Sequence, residues 1–218
     1  MSPAVEPTLD VERALHAEGA EWVVGCDEVG RGAIAGPVAV GMAAVLVDCV
    51  APPAGLRDSK LLSEKRREAL HPLTAEWCRR HAVGLASADE VDRLGIVAAL
   101  GLAGRRALVD LHHQGVVVPR SVVVLDGSHD WLSPALVAPP EVRTRVKADR
   151  DCASVAAASV LAKVHRDRLM VAAHDEHPGY AWASNKGYGS AAHYAGLAEH
   201  GATPWHRTSW LRDPVERG

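Results

Sequence analysis

The sequence predicts an α/β fold built on a mixed sheet, and three observations carry that expectation. Apolar runs of strand length alternate with longer helix-patterned stretches along all 218 residues. The first two runs, residues 21–29 and 37–46, are separated only by a turn, so a hairpin is the simplest pairing. Three strand candidates then end in acid, at Asp27-Glu28, at Asp126 and at Asp149. Acids at strand ends of such a sheet converge on one edge, where ligands bind.

Taken in order, residues 1–20 read as a polar lead-in with a short helix around Val11 to Leu15. Residues 21–29 read as a buried strand. In 37–46, Val38, Val40, Met42, Ala44 and Leu46 alternate with small residues, as a strand requires. A Pro-rich loop follows over 47–55. Ser63 caps a helix over 64–70 with Glu64 in its first turn. Residues 81–86 form a third strand. Ser87-Ala88-Asp89-Glu90 is a capping box that opens a helical stretch, broken at Gly95 and closed near Gly115. Val122 to Leu125 is a fourth buried strand ending at Asp126-Gly127, and 141–146 a fifth. An Ala-rich helix fills 153–173, and Ser190 and Gly201 bracket a last one. Neither repeats nor a linker interrupt the pattern, so a single domain over 1–218 is expected, with 1–20 as lead-in and a helical extension from about 175.

Composition narrows the class. Hydrophobic content of 48% and charged content of 23% are those of a globular protein with a real core. Phe is absent, so Val, Leu and Ala must fill the interior. Cys26, Cys49, Cys78 and Cys152 form no Cys-x-x-Cys pair, which argues against zinc or a disulfide framework and for a reducing, cytoplasmic setting. There is no signal-peptide pattern and no apolar run of about 18 residues, so no membrane partner is expected. The net charge of −3 is unevenly spread. Residues 1–28 carry a net of −6 and residues 143–168 a net of +4. The basic run fits a nucleic-acid contact or a solvated helix face.

The chemistry gathers at the acids. Four carboxylates at one sheet edge cannot all ionise without cations. Hard oxygen donors with room for water and phosphate suit Mg²⁺ or Mn²⁺ better than zinc, and two such ions could clamp an in-line phosphoryl displacement. Gly30-Arg31-Gly32 follows Asp27-Glu28 directly and lets backbone N–H groups approach a ligand. Each acid alone has a plainer reading, since Asp126-Gly127 is a turn signature and Asp149 has Lys147 and Arg150 as neighbours. The composite is harder to dismiss. A Gly-x-x-x-x-Gly-Lys-Ser/Thr loop and a Gly-x-Ser-x-Gly elbow are both absent, which removes nucleotide-loop and serine-hydrolase chemistry.

The stretch Gly25-Cys26-Asp27-Glu28-Val29-Gly30-Arg31-Gly32, followed by Ala35-Gly36-Pro37-Val38, resembles the opening motif of type 2 ribonucleases H, the bacterial ribonuclease HII family. The resemblance continues through Arg57-Asp58-Ser59-Lys60-Leu61-Leu62, Leu125-Asp126-Gly127, Lys147-Ala148-Asp149 and residues 156–168. It ends at Asn185-Lys186-Gly187-Tyr188 and His206-Arg207-Thr208-Ser209. The departures are Val29 for a small residue, Ala33-Ile34 for Pro-Leu or Pro-Val, Gly95 for Asn, and Trp210 for Phe.

What the resemblance implies is a ribonuclease H-like fold: a mixed five-stranded sheet flanked by helices, with additional C-terminal helices. It implies hydrolysis of the RNA strand of RNA–DNA hybrids and nicking 5′ of single ribonucleotides in duplex DNA, leaving 5′-phosphate and 3′-hydroxyl ends. By motif position Asp27, Glu28, Asp126 and Asp149 are the expected catalytic, metal-binding residues, holding two divalent ions, Mg²⁺ or Mn²⁺. Gly30, Arg31 and Gly32 are expected to sense the 2′-hydroxyl, Tyr188 to pack on the neighbouring sugar, and Ser59 and Lys60 to hold the backbone. The Ala-rich 156–162 run is expected to be helix packing, with Lys163 and Arg166 bridging acids or touching nucleic-acid backbone. The expected partners are RNA–DNA hybrid and ribonucleotide-containing duplex. No protein partner is expected, since the tail 213–218 shows no clamp-binding-like motif, and the chain is expected to be a monomer. The rival readings are a structure-selective DNA nuclease and a nucleic-acid-binding module with vestigial acids.

Overall fold

A computed structural model describes residues 6–211, so the tail 213–218 lies outside the described residues. The described chain runs α1 (Asp10–Ala17), β1 (Trp22–Val29), β2 (Val38–Val45), a 3-10 turn (Ser59–Leu61), α2 (Glu64–Trp77), β3 (Arg80–Ala86), α3 (Ala88–Leu94) and α4 (Ile96–His113). It continues through β4 (Ser121–Asp126), β5 (Glu141–Arg145), α5 (Ala148–Asp151), α6 (Ala153–Glu176), α7 (Trp182–Asn185) and α8 (Ala191–His200).

The five strands form one mixed sheet in the order β3-β2-β1-β4-β5. The expected hairpin is there: β1 and β2 pair antiparallel from Val23–Val45 to Val29–Ala39. β3 extends it antiparallel, while β4 and β5 join β1 in parallel. Alternation divides the side chains between two faces. Val24, Cys26, Val40, Met42, Val123 and Leu125 pack with Leu100, Ala103 and Leu111 of α4 in one core. On the opposite face lies α6, unusually close, because β1 and β2 present glycine to it. A Cβ on Gly25 would meet the Ser154 carbonyl carbon at 2.2 Å, and one on Gly41 the Ala158 oxygen at 2.3 Å. Ala156, Ala157 and Ala158 are buried, and small residues on both partners allow this approach.

Around the far end of α6, Ala35, Met170, Tyr180 and Trp182 form a smaller core. Tyr180 and Trp182 stack at 5.0 Å between ring centroids. This is the C-terminal extension the sequence pointed to.

Two expectations need adjusting, and the one at Gly95 holds. The helix over 64–70 runs on to Trp77, with Pro72 inside it. The break at Gly95 is real: φ is +76°, and α3 and α4 are separate helices. The fifth strand is not an apolar strand ending in acid. β5 is an edge strand of Glu141, Val142, Arg143, Thr144 and Arg145, mostly exposed. Asp149 lies beyond it on α5, after a turn in which Lys147 takes φ +61°.

Candidate active site

Register places the first acids. Cys26 of β1 pairs in parallel with Leu125 of β4, so Asp27 and Asp126 stand at the same level on neighbouring strand ends. Both share the α6 side of the sheet, by alternation from Val23 and Val124, which pack together there. Glu28, one residue on, projects to the other side and lies 3.4 Å from the Arg31 guanidinium. Asp149 arrives from α5, which is tied to β4 because the Ala148 N–H donates to Asp126 Oδ1 at 2.8 Å. The four expected carboxylates thus belong to one neighbourhood.

The electrostatics follow from this placement. Asp27 is buried, and its carboxyl is pushed up to about 8, by burial first and then by Glu28 and Asp126, against a hydrogen bond from Ser159. Asp149 is raised to about 6, by burial and by Asp126 and Asp58. Glu28 also rises through burial, with Arg31 opposing and Asp126 adding. Facing them is the Lys60 ammonium, 4.0 Å from Asp149. Burial works against its charge, but Asp27, Asp58, Asp149 and Asp126 together hold its pKa above the ordinary value.

Two participants stood in the sequence only inside longer motifs, without a role of their own. Asp58, only 2% exposed, accepts from the Lys60 N–H at 2.8 Å and so shapes the turn that carries Ser59 and Lys60. Ser159 lies inside the Ala-rich run expected to be packing alone. Its hydroxyl donates to Ser59 Oγ at 2.9 Å and accepts from the Ser59 N–H at 3.4 Å, and it opposes the rise in the Asp27 pKa. Ser59 is itself buried, so it joins the turn to α6 and presents little surface, while Lys60 is exposed. A lone polar residue in an otherwise apolar helical run was the available signal for Ser159.

The Gly-Arg-Gly loop is braced from behind. Gly30 has φ +81°, and a Cβ there would lie 2.1 Å from Arg166 Nε. Arg207, fully buried, donates to the carbonyls of Gly30 at 2.7 Å and Arg31 at 3.0 Å. Arg166, equally buried, donates to the carbonyls of Pro37, Lys186 and Ala35. It therefore bridges no acid, unlike Lys163, which pairs with Asp167 at 2.7 Å. With its carbonyls held, the loop leaves Arg31 and Gly32 exposed. Among the described residues no backbone hydrogen bond uses their N–H groups. Ile34 and Ala35 donate to the Gly187 carbonyl at 2.9 and 3.0 Å, which brings the neighbouring Tyr188 alongside. The Tyr188 ring has the Arg166 guanidinium 5.5 Å and the Lys163 ammonium 6.0 Å from its centroid. His206, by contrast, is 2% exposed and serves the C-terminal core.

The donor set suits a hard divalent cation. Buried carboxylates with raised pKa values and one nearby lysine are short of positive charge. Among the described residues, no three or more His, Cys, Asp or Glu side chains close into a cage on their own. Mg²⁺ and Mn²⁺ take one or two carboxylates from a protein and fill their remaining positions with water and substrate phosphate.

Comparison with known proteins agrees. The ribonuclease HII family model matches residues 24–213. A ribonuclease HII of Streptomyces avermitilis is 48% identical over 209 residues, covering 95% of this chain and 85% of that one. A ribonuclease HII of Paracoccus denitrificans is 45% identical over 211 residues, covering 97% and 94%. The ribonuclease H2 of Pyrococcus horikoshii shares the fold, with a TM-score of 0.66 at 24% identity over 87% of this chain and 93% of that one. The opening motif, the sheet order and these matches agree that the chain belongs to the ribonuclease HII family, metal-dependent hydrolases that cut RNA in RNA–DNA hybrids.

Proposed function

We propose that this chain nicks duplex DNA on the 5′ side of a single embedded ribonucleotide, as well as cutting the RNA strand of hybrids, and leaves 5′-phosphate and 3′-hydroxyl ends. The observation that supports the finer reading is the braced Gly30-Arg31-Gly32 loop, which follows Asp27 and Glu28 directly and whose exposed Arg31 and Gly32 have N–H groups that no backbone hydrogen bond uses among the described residues. Backbone donors held this way can bond a 2′-hydroxyl, the group that distinguishes RNA from DNA. Tyr188 follows Gly187, whose carbonyl receives the Ile34 and Ala35 N–H groups, and it would offer a ring on which the adjoining deoxyribose packs.

Asp27, Glu28, Asp126 and Asp149 would hold two divalent ions, Mg²⁺ or Mn²⁺, together with the scissile phosphate. When bound, such ions supply water activation and charge stabilisation at the departing 3′-oxygen. The chain does the rest. Lys60 faces the acids and supplies a positive charge for a phosphate oxygen. The Gly30–Gly32 loop fixes which phosphate lies over the acids, and Arg207 and Arg166 keep that loop from moving. The 2′-hydroxyl is read and not used as nucleophile, so no cyclic phosphate forms.

A labelled duplex with one ribonucleotide, incubated with Mg²⁺, Mn²⁺ or EDTA, tests the reading. Metal-dependent nicking 5′ of the ribonucleotide, absent on all-DNA duplex, is expected. Cutting of all-DNA duplex would favour a structure-selective DNA nuclease, and inertness on both substrates a binding module.

A further inference from the structure

The acid-rich lead-in contains one acid that is not on the surface. Glu12 of α1 is 1% exposed, and its Oε1 accepts from the Ser154 N–H at 2.8 Å and from the Ser154 hydroxyl at 2.6 Å. Its other oxygen is buried without a hydrogen-bond partner. A buried carboxylate is costly unless matched. Ser154 and the N-terminal end of a 24-residue helix, whose dipole favours an anion, offset part of that cost, and burial still raises the Glu12 pKa. A second tie lies four residues earlier. The Thr8 N–H donates to the Asp151 carbonyl at 3.0 Å, and the Thr8 carbonyl accepts from Ala153 at 2.9 Å. Residues 8–12 therefore clasp the junction between α5 and α6 from outside.

That junction matters because of what hangs from it. Asp149 lies on α5, whose start is fixed to Asp126 through Ala148. Its other end runs through buried Cys152 into Ser154. Ser154 is pressed against Gly25 of β1, two residues before Asp27. The strand bearing Asp27, the helix bearing Asp149 and the residue held by Glu12 thus meet at one point.

We propose that Glu12 is a positioning residue: by holding Ser154, it fixes the α5–α6 junction so that Asp149 faces Asp27 and Asp126. The inference rests on the reading of Asp149 as a ligand of the divalent ion.

The test uses the full chain with Glu12→Ala, Glu12→Gln, Asp149→Asn and Leu108→Ala. Mn²⁺ binding is measured by calorimetry, kcat and KM on a labelled hybrid, and Tm by thermal unfolding. Glu12→Ala is expected to weaken Mn²⁺ binding and lower kcat, each about 10-fold, the scale seen when a residue orienting a metal ligand is removed, with KM unchanged. Glu12→Gln keeps an oxygen for Ser154 and should recover most of both. Leu108 is buried in the α4 core, so Leu108→Ala should lower Tm without changing Mn²⁺ affinity. Wild-type Mn²⁺ affinity and kcat in Glu12→Ala, beside an inactive Asp149→Asn, overturns the role of Glu12 alone. Wild-type Mn²⁺ binding in Asp149→Asn overturns the metal-site reading and this inference with it. Should Glu12→Ala not fold, Ser154→Ala, which removes only the hydroxyl donor, decides: a smaller loss in the same direction supports the proposal, and no loss overturns it.

Discussion

Asp126 has two functions that one substitution separates. Its Oδ1 holds the Ala148 N–H at 2.8 Å, and its charge raises the pKa values of Asp27, Glu28 and Asp149. Asparagine keeps an oxygen for Ala148 but loses the charge. Asp126→Asn should therefore bind hybrid normally in a gel shift while single-turnover cleavage falls by about 10²–10³-fold, the scale of removing one electrostatic stabiliser. Near-wild-type turnover would remove Asp126 from the site. The glycines of the Gly30–Gly32 loop make a second contrast. A Cβ on Gly32 meets nothing within 4 Å, whereas one on Gly30 meets Arg166 at 2.1 Å on a backbone of φ +81°. Gly32→Ala should leave Tm nearly unchanged and, if the proposed loop contact with the sugar is made, reduce nicking at a single ribonucleotide, because its methyl would stand in that contact. Gly30→Ala should lower Tm as well. Equal Tm losses in the two variants would contradict this account of the loop.

The C-terminal helices act as an element through a chain of hydrogen bonds that fixes two imidazoles as neutral. Trp182 Nε1 donates to His193 Nε2 at 3.0 Å, so His193 carries its proton on Nδ1, directed at the Tyr188 carbonyl 2.9 Å away. The Thr203 N–H donates to His206 Nδ1 at 2.9 Å, and His206 Nε2 lies 3.1 Å from His193 Nε2. A proton added to either ring would face an existing donor. Burial first, and then His193, pushes His206 down to about 4. Between that value and the usual value near 6.5, the unfolded chain binds a proton that the folded chain does not, so this contribution to stability is lost as pH falls. At pH 5 the loss from His206 is on the order of 2 kcal/mol, or several degrees in Tm for a chain of this size. Asp27 and Asp149, with raised pKa values, act in the opposite sense. The readout is accordingly the difference between proteins. On acidification from pH 7.5 to 5 the Tm of His206→Gln should shift upward relative to that of the wild type, falling less or rising more, and parallel curves would refute the assignment. Because this network also holds the Tyr188 carbonyl, its loss should disturb Tyr188 before it reaches the acids.

Across the whole molecule, what could be read in the sequence is what strand alternation and local caps encode. Asp27, Glu28 and Asp126 sit where apolar β1 and β4 stop, and the Ser87-to-Glu90 capping box forms as written. Asp149 was legible as an acid but not in its setting, because β5 is an exposed edge strand whose charged residues carry no burial pattern. Asp58, Ser159, Arg166 and Arg207 were illegible in their roles because their partners lie far away in sequence, as Ser159 to Ser59 and Arg207 to Gly30 illustrate. The same long-range assembly links the site to stability. Folding brings together carboxylates from β1, β4 and α5 that the unfolded chain keeps apart in water, and their burial and mutual repulsion oppose it. Ions that bind this cluster and not the unfolded chain should stabilise by about 2.7 kcal/mol at one hundred times their dissociation constant. For a chain of this length that corresponds to a Tm roughly 5–10 °C higher in saturating Mg²⁺ or Mn²⁺ than in EDTA. Asp149→Asn removes one repelling charge and one donor, so it should raise Tm in EDTA and shrink the rise on adding metal. A metal-induced rise as large in Asp149→Asn as in the wild type would place the ions elsewhere on the molecule.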